Sequence, residues 1–298
     1  MDKSIYEKQS DPLIIQCLFA QRKNYSYAKL ISEIYFIICV LGVCTFLILK
    51  ALFPSDLITV LSTVLSVVAF AVSFLVKSIT SKLKETAAGI QQYIDTTLYK
   101  SNQYSSLNSK WVCPFTKDQI IEMVSKYPTH GFTENDKWYE DYSTKSFCEQ
   151  IYYSQYENLR WDYDLRKYYS RLYKAVLCTI LGALILYAII LNLTVIECIS
   201  ILAWGFPFIK FYVSFNNAMK NDDTRLTTLK NKADNIMHNV GMVLDGEELI
   251  SLEIELQNKL YEHRQKAVLV PDFIYKLFRN KQQKNEENIA NNHKIDMN

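Results

Sequence analysis

The feature that most constrains this chain is the gathering of its apolar residues into runs long enough to cross a lipid bilayer. About 20 apolar residues, rising about 1.5 Å each, span a hydrocarbon core of about 30 Å. Residues 34–53 form one such run, interrupted only by Lys50, whose long stem can carry its ammonium out to the headgroups. Residues 57–76 carry no charge, and only Pro54, Ser55 and Asp56 separate the two runs, so an antiparallel hairpin is expected. Residues 175–209 are too long for one span and are broken only by Glu197. Two helices fit there, over 172–191 and 195–215, with a turn at 192–194. The last of them carries Glu197, Pro207 and Lys210, and a re-entrant element competes with a full crossing. An intramembrane lysine costs roughly 2.5–3.5 kcal/mol at mid-membrane, so Lys210 should snorkel, face protein or face water.

Orientation follows from the basic residues, since cytoplasmic flanks carry the excess. Both hairpin turns have none. Arg22, Lys23 and Lys29 precede the first span, Lys77, Lys82 and Lys84 follow the second, Arg166, Lys167, Arg171 and Lys174 precede the third, and Lys220, Arg225, Lys230 and Lys232 follow the fourth. The expectation is an all-α integral membrane protein with four transmembrane helices as two hairpins, the lipid bilayer as partner, and both termini cytoplasmic. Its parts are an N-terminal cytoplasmic helix (1–33), hairpin 1 (34–76), a cytoplasmic helical segment (77–171), hairpin 2 (172–215), and C-terminal cytoplasmic helices with a polar tail (216–298).

Beyond Val76 the spacing Ile79, Leu83, Ala87, Ile90, Ile94, Leu98 continues a helical stripe. Residues 101–114 and 128–136 read as loops, with a short helix capped by Thr116 or Asp118 between them. From Ser146 no breaker occurs before the third span, which predicts one long helix. Asn158, Trp161, Leu165, Tyr168 and Leu172 share a face of it, and Asp162 and Arg166 pair four residues apart. Residues 216–244 and 248–267 read as helices, Pro271 suits the first turn of a terminal helix through Phe278, and the polar tail from Lys281 is expected to be solvated or frayed.

Net charge is +2, which argues against a nucleic-acid polymer as partner. The seven cysteines are scattered without a C-x-x-C pair and read as reduced. The polar stretch 1–15 predicts no secretory signal peptide, and Asp2 does not fit N-myristoylation. The four histidines lie far apart, and no nucleotide-loop, zinc-protease or nucleophile-elbow motif occurs. Neither catalysis, a metal nor a cofactor is expected.

On the second span, Thr59, Ser62, Thr63, Ser66 and Ser73 fall within roughly 100° of one another, with Lys77 continuing the line. Such a stripe lines a water-filled pore in an assembled homo-oligomer, or lets helices approach closely and bond across the contact. Cys178, Thr179, Gly182 and Ala183 read as a close-packing face of the third span.

The segment Trp138-Tyr139-Glu140-Asp141-Tyr142-Ser143, with Gln155-Tyr156-Glu157-Asn158-Leu159-Arg160-Trp161-Asp162 and Leu165-Arg166-Lys167-Tyr168, resembles the four-transmembrane pore-forming effectors associated with SMODS nucleotidyltransferases. These belong to bacterial CBASS-type anti-phage operons. Ala20-Gln21-Arg22 with Tyr25, Ala28 and Lys29 is similar to that family's opening helix, and Val270-Pro271-Asp272-Phe273-Ile274-Tyr275-Lys276-Leu277 with Arg279 to its closing motif. The resemblance implies a synthase that makes a cyclic nucleotide messenger after infection, and an effector that breaches the bacterial inner membrane in response. Trp138, Gln155, Asn158, Trp161, Asp162, Arg166, Pro271, Tyr275 and Arg279 match the family pattern, either to hold the helices together or to contact ligand. Phosphate calls for arginine or lysine and a base for an aromatic face, so Trp138, Arg160, Trp161 and Arg166 are candidates for ligand binding or gating. Two alternatives remain: a constitutive channel or transporter, for which Lys210 is the sole midplane charge, and a non-conducting membrane anchor.

Overall fold

The computed structural model describes residues 3–53, 55–127, 138–196, 198–199, 206–240 and 246–295, and among these the regular structure is entirely helical. A capping box of Ser4 and Glu7 opens the short α1, Ile5–Lys8. Asp11 caps α2, Pro12–Leu52, with proline at the first helical position. No glycine or proline follows before Gly42, so the expected N-terminal helix and first span are one continuous helix. Ser55 caps α3, Asp56–Tyr99, whose 44 residues reach about 66 Å, twice the hydrocarbon thickness. A 3-10 turn over Ser105–Lys110 lies in the expected loop, and a Thr116–Gln119 capping box opens α4, Lys117–Ser125. The second expected loop, 128–136, lies outside the described residues.

A third capping box, Ser146 with Glu149, opens α5, Phe147–Ile190. It stops at the expected place, where Asn192 takes a left-handed φ of 49°, a conformation that asparagine tolerates better than most residues. Of the proposed fourth span, Glu197 and residues 200–205 lie outside the described residues. The chain is helical again in α6, Phe206–Val240, then in α7, Gly246–Lys266, and α8, Asp272–Ile295.

Three of these helices, α2, α3 and α5, are long and apolar enough to cross a membrane. In each the apolar half is bare while the other half is packed. Leu65 is 65 % and Ile190 77 % exposed, whereas Ile90, Ile94 and Ile151 are buried to 1 % or less. The hydrophobic core therefore sits in the polar bundle, where Ile14, Leu18, Ile94, Leu159, Leu226 and Leu256 bring α2, α3, α5, α6 and α7 together. A smaller cluster of Leu165, Val270 and Ile274, flanked by Tyr168, Leu172 and Phe278, seats α8 on α5.

One expectation needs correcting. The tail from Lys281 is not frayed: α8 continues to Ile295, with Gln282 and Glu286 buried. It is held by polar contacts rather than by an apolar stripe, since Arg160 pairs with Glu286 and Gln282 Nε2 donates to the Trp161 carbonyl at 3.0 Å. On the small-residue face of the third span, a Cβ placed on Gly182 meets no atom of the described residues within 4 Å, and Cys178 is exposed.

Candidate functional site

A polar cavity of about 300 Å³ lies in the bundle, at the low end of the range for small-molecule sites. Every long helix contributes to its wall. Gln21, Tyr25 and Lys29 recur at four-residue spacing on α2 and so share one face. Lys84 enters from α3, Trp138 from the segment before α5, Trp161 and Arg166 from α5, Arg264 from α7, and Tyr275 and Arg279 from α8.

Two buried ion-pair networks frame it. In the first, Asp222, fully buried, accepts from Arg166 Nη1 at 2.9 Å, from the Val268 amide at 2.7 Å and from Arg225. Arg166 Nε also donates to Asp162 at 2.9 Å, the expected four-residue pair, and His263 Nε2 lies 2.9 Å from the other oxygen of Asp162. Burial alone would raise the Asp162 carboxyl, but the Arg166 charge and His263 hold it well below the usual carboxylate range.

The second network centres on Asp95, also fully buried. It accepts from Tyr139 Oη at 2.7 Å, Gln257 Nε2 at 2.9 Å and Arg264 Nη1 at 2.5 Å. Asn158 ties the segment before α5 into this network, donating to Tyr139 Oη at 2.7 Å and accepting from Trp138 Nε1 at 2.9 Å. Gln155 donates to the Glu253 carbonyl at 2.9 Å. The Tyr25 phenol feels both networks, its pKa raised by burial and then modulated by Arg264, Asp162, Arg166 and Asp95.

The sequence candidates thus divide. Trp138, Trp161 and Arg166 line the cavity together with the family-pattern residues Asn158, Asp162, Tyr275 and Arg279. Arg166 is committed to Asp162 and Asp222. Arg160 does not line the cavity and is bound to Glu286. Gln155 is structural, bridging α5 to α7. Pro271 stands just before α8, its carbonyl accepting from the amides of Ile274 and Tyr275 at 3.1 and 3.2 Å.

Sequence reasoning passed over Lys84 and Arg264, which have no local signature, and left Gln21 and Tyr25 outside the candidate set although their periodic spacing marks a shared face.

The polar stripe of α3 is not one uniform surface. Ser62 is buried, Thr63 exposed, Ser66 half-buried, and the Thr59 side chain lies outside the described residues. Ser73 donates to the Phe70 carbonyl at 2.6 Å and accepts from Lys210 Nζ at 3.2 Å. Lys210 also stands over the rings of Phe70 and Phe74, so among the fates expected for it, the one found is to face protein.

A family model described as the SMODS-associating 4TM effector domain matches residues 3–293 of this chain. No curated protein and no solved structure matches it.

Proposed function

Because the chain belongs to the SMODS-associating 4TM effector domain family, a family of multi-pass membrane effectors, we propose that it is the membrane-breaching effector of a cyclic-nucleotide-triggered bacterial anti-phage system. On this reading it has four spans in two hairpins and sits in the inner membrane as a homo-oligomer. Both termini and the polar bundle face the cytoplasm, in keeping with the basic residues that flank each apolar run on that side. It carries out no catalysis of its own. The messenger comes from a partner synthase, and membrane failure ends the infected cell's support of phage.

The observation that carries the reading is the continuity of α2, α3 and α5, each a single helix that is bare and apolar at one end and packed into the bundle at the other. A shift of these helices within the bundle is transmitted to the bilayer without an intervening hinge. Moving from 1:99 to 99:1 in favour of an open state takes roughly 5.5 kcal/mol of differential binding, within reach of a charged ligand held in several subunits. The stripe of Ser62, Thr63, Ser66 and Ser73, with Thr59, then lines the opening between copies.

The test is reconstitution into dye-loaded liposomes with a panel of cyclic di- and trinucleotides, alongside co-expression with a SMODS synthase and a membrane-potential dye. Messenger-dependent dye release and depolarisation are expected. Intact liposomes under every messenger, together with an undisturbed potential in cells, would falsify the reading.

A further inference from the structure

We infer that the bundle cavity is a binding site for a phosphorylated heteroaromatic ligand, with Lys84 and Arg264 as its phosphate donors and Gln21 as the acceptor for a ring amino group. The site rests on the reading that a small messenger acts on the bundle, and supplies the place and the chemistry that reading leaves open.

The argument turns on which polar groups are already committed. Arg166 is bound through Nε to Asp162 and through Nη1 to Asp222 and the Val268 carbonyl, and Lys29 is paired with Asp272 at 2.7 Å. Arg264 is different. It is nine-tenths buried, and while Nη1 is bound to Asp95, Nη2 has no hydrogen-bond partner among the described residues. A buried guanidinium nitrogen without an acceptor costs free energy that a ligand oxygen would recover. Lys84 makes no ion pair among the described residues and donates only to the Ala267 carbonyl at 3.2 Å. Burial pushes its ammonium down from the ordinary lysine value, so an arriving anion relieves a desolvated charge.

The opposite polarity is represented too. Gln21 is 3 % exposed and gives its amide nitrogen to Gln91 at 3.2 Å, but its Oε1 has no partner. Trp161 and Tyr275, with ring centroids 5.9 Å apart, together with Tyr25 supply flat surfaces on the same cavity. One buried and one half-buried donor, one buried acceptor and aromatic walls suit a ligand with both a phosphate and a ring that carries an amino group. Inorganic phosphate satisfies only the donors.

A lipid headgroup shares the phosphate chemistry but not the location. Lys84 lies about 12 Å along α3 beyond Val76, and Trp161 about 21 Å along α5 before Ala175, both well below the headgroup layer.

The test measures binding to the full chain in detergent by calorimetry and by ligand-induced melting shifts. The probes are the cyclic di- and trinucleotide panel, adenosine, pyrophosphate and a short-chain phosphatidylglycerol. At least one cyclic nucleotide is expected to bind, with adenosine, pyrophosphate and lipid each at least tenfold weaker. Lys84→Met should weaken nucleotide and pyrophosphate alike by tenfold or more, Gln21→Leu the nucleotide alone, and Lys100→Met, outside the cavity, neither. Melting of each ligand-free variant separates lost binding from lost folding.

The site is overturned if no cyclic nucleotide binds, if phosphatidylglycerol binds better than all of them, or if folded Lys84→Met and Gln21→Leu bind like wild type. The two readings fail separately. Binding that depends on Lys84 and Gln21 without any liposome leakage removes the breaching function and keeps the site, whereas messenger-dependent leakage indifferent to both residues removes the site and keeps the function.

Discussion

The ammonium of Lys210 lies 3.9 Å from the centroid of the Phe70 ring, on a face of α3, one of the helices apolar enough to cross a membrane. The Phe74 ring stands at the same distance and the Ser73 hydroxyl at 3.2 Å, so the most costly residue of the fourth apolar segment is solvated by the second. Away from water such a clamp is worth about 2 kcal/mol or more.

The clamp predicts an asymmetry. Phe70→Leu with Phe74→Leu strips the ammonium of its two aromatic partners, leaving only the Ser73 hydroxyl of the three contacts named, and should lower the melting temperature of the full chain in detergent. Lys210→Met removes the cost along with the contact and should be close to neutral. Combining the changes should rescue the phenylalanine variant. A double-mutant cycle with additive effects would show that the clamp contributes nothing.

Asp222 holds two arginines and a backbone amide while wholly buried. Asp222→Asn is expected to destabilise by about 3 kcal/mol or more, because two guanidiniums lose their counter-charge in a site closed to water. Glu255, half-exposed between Lys232 and Lys259, is the contrast. Glu255→Gln should change stability by less than about 1 kcal/mol. Denaturant titration of both variants checks the ranking.

The far half of α8 depends on Glu286, buried against Arg160. Arg160→Ala or Glu286→Ala should release residues 282–295 without unfolding the bundle, whose core lies elsewhere. Hydrogen exchange would show protection lost in that segment and kept in α3 and α5. The double variant should add little to either single one.

Glu157 predicts a pH dependence. Burial first, and the charge of Glu286 next, push its carboxyl from 4.5 up to about 8, opposed by the Glu140 amide and by Arg160. A raised folded value means that its contribution to stability is complete below the unfolded value and is lost as pH rises through the folded one. Thermal stability should therefore decline between about pH 5 and about pH 8, and Glu157→Gln should flatten that decline. Equal slopes in wild type and variant would locate the dependence elsewhere.

Much of the architecture was legible beforehand because its signals are local. Ser146 with Glu149 and Thr116 with Gln119 mark helix starts within four residues, and long apolar runs mark helices of membrane length. Asp162 and Arg166, four apart on α5, announced their own ion pair. The tail departs from the expected frayed state because Gln282 and Glu286 are buried through polar partners on α5 more than 100 residues away, and hydropathy cannot register such partners.

Sequence alone determined that this chain is helical, that it has apolar runs of membrane length, and which residues carry the family pattern, since periodicity, capping and hydropathy act over neighbouring positions. Only the tertiary structure decided which cations are spent. Arg160 and Arg166 looked available and are bound by Glu286, Asp162 and Asp222, while Lys84 and Arg264, with no signature in the chain, face the cavity with donor capacity in reserve. A charge is committed or free according to what lies within a few ångströms of it, and here those neighbours come from helices far apart in sequence.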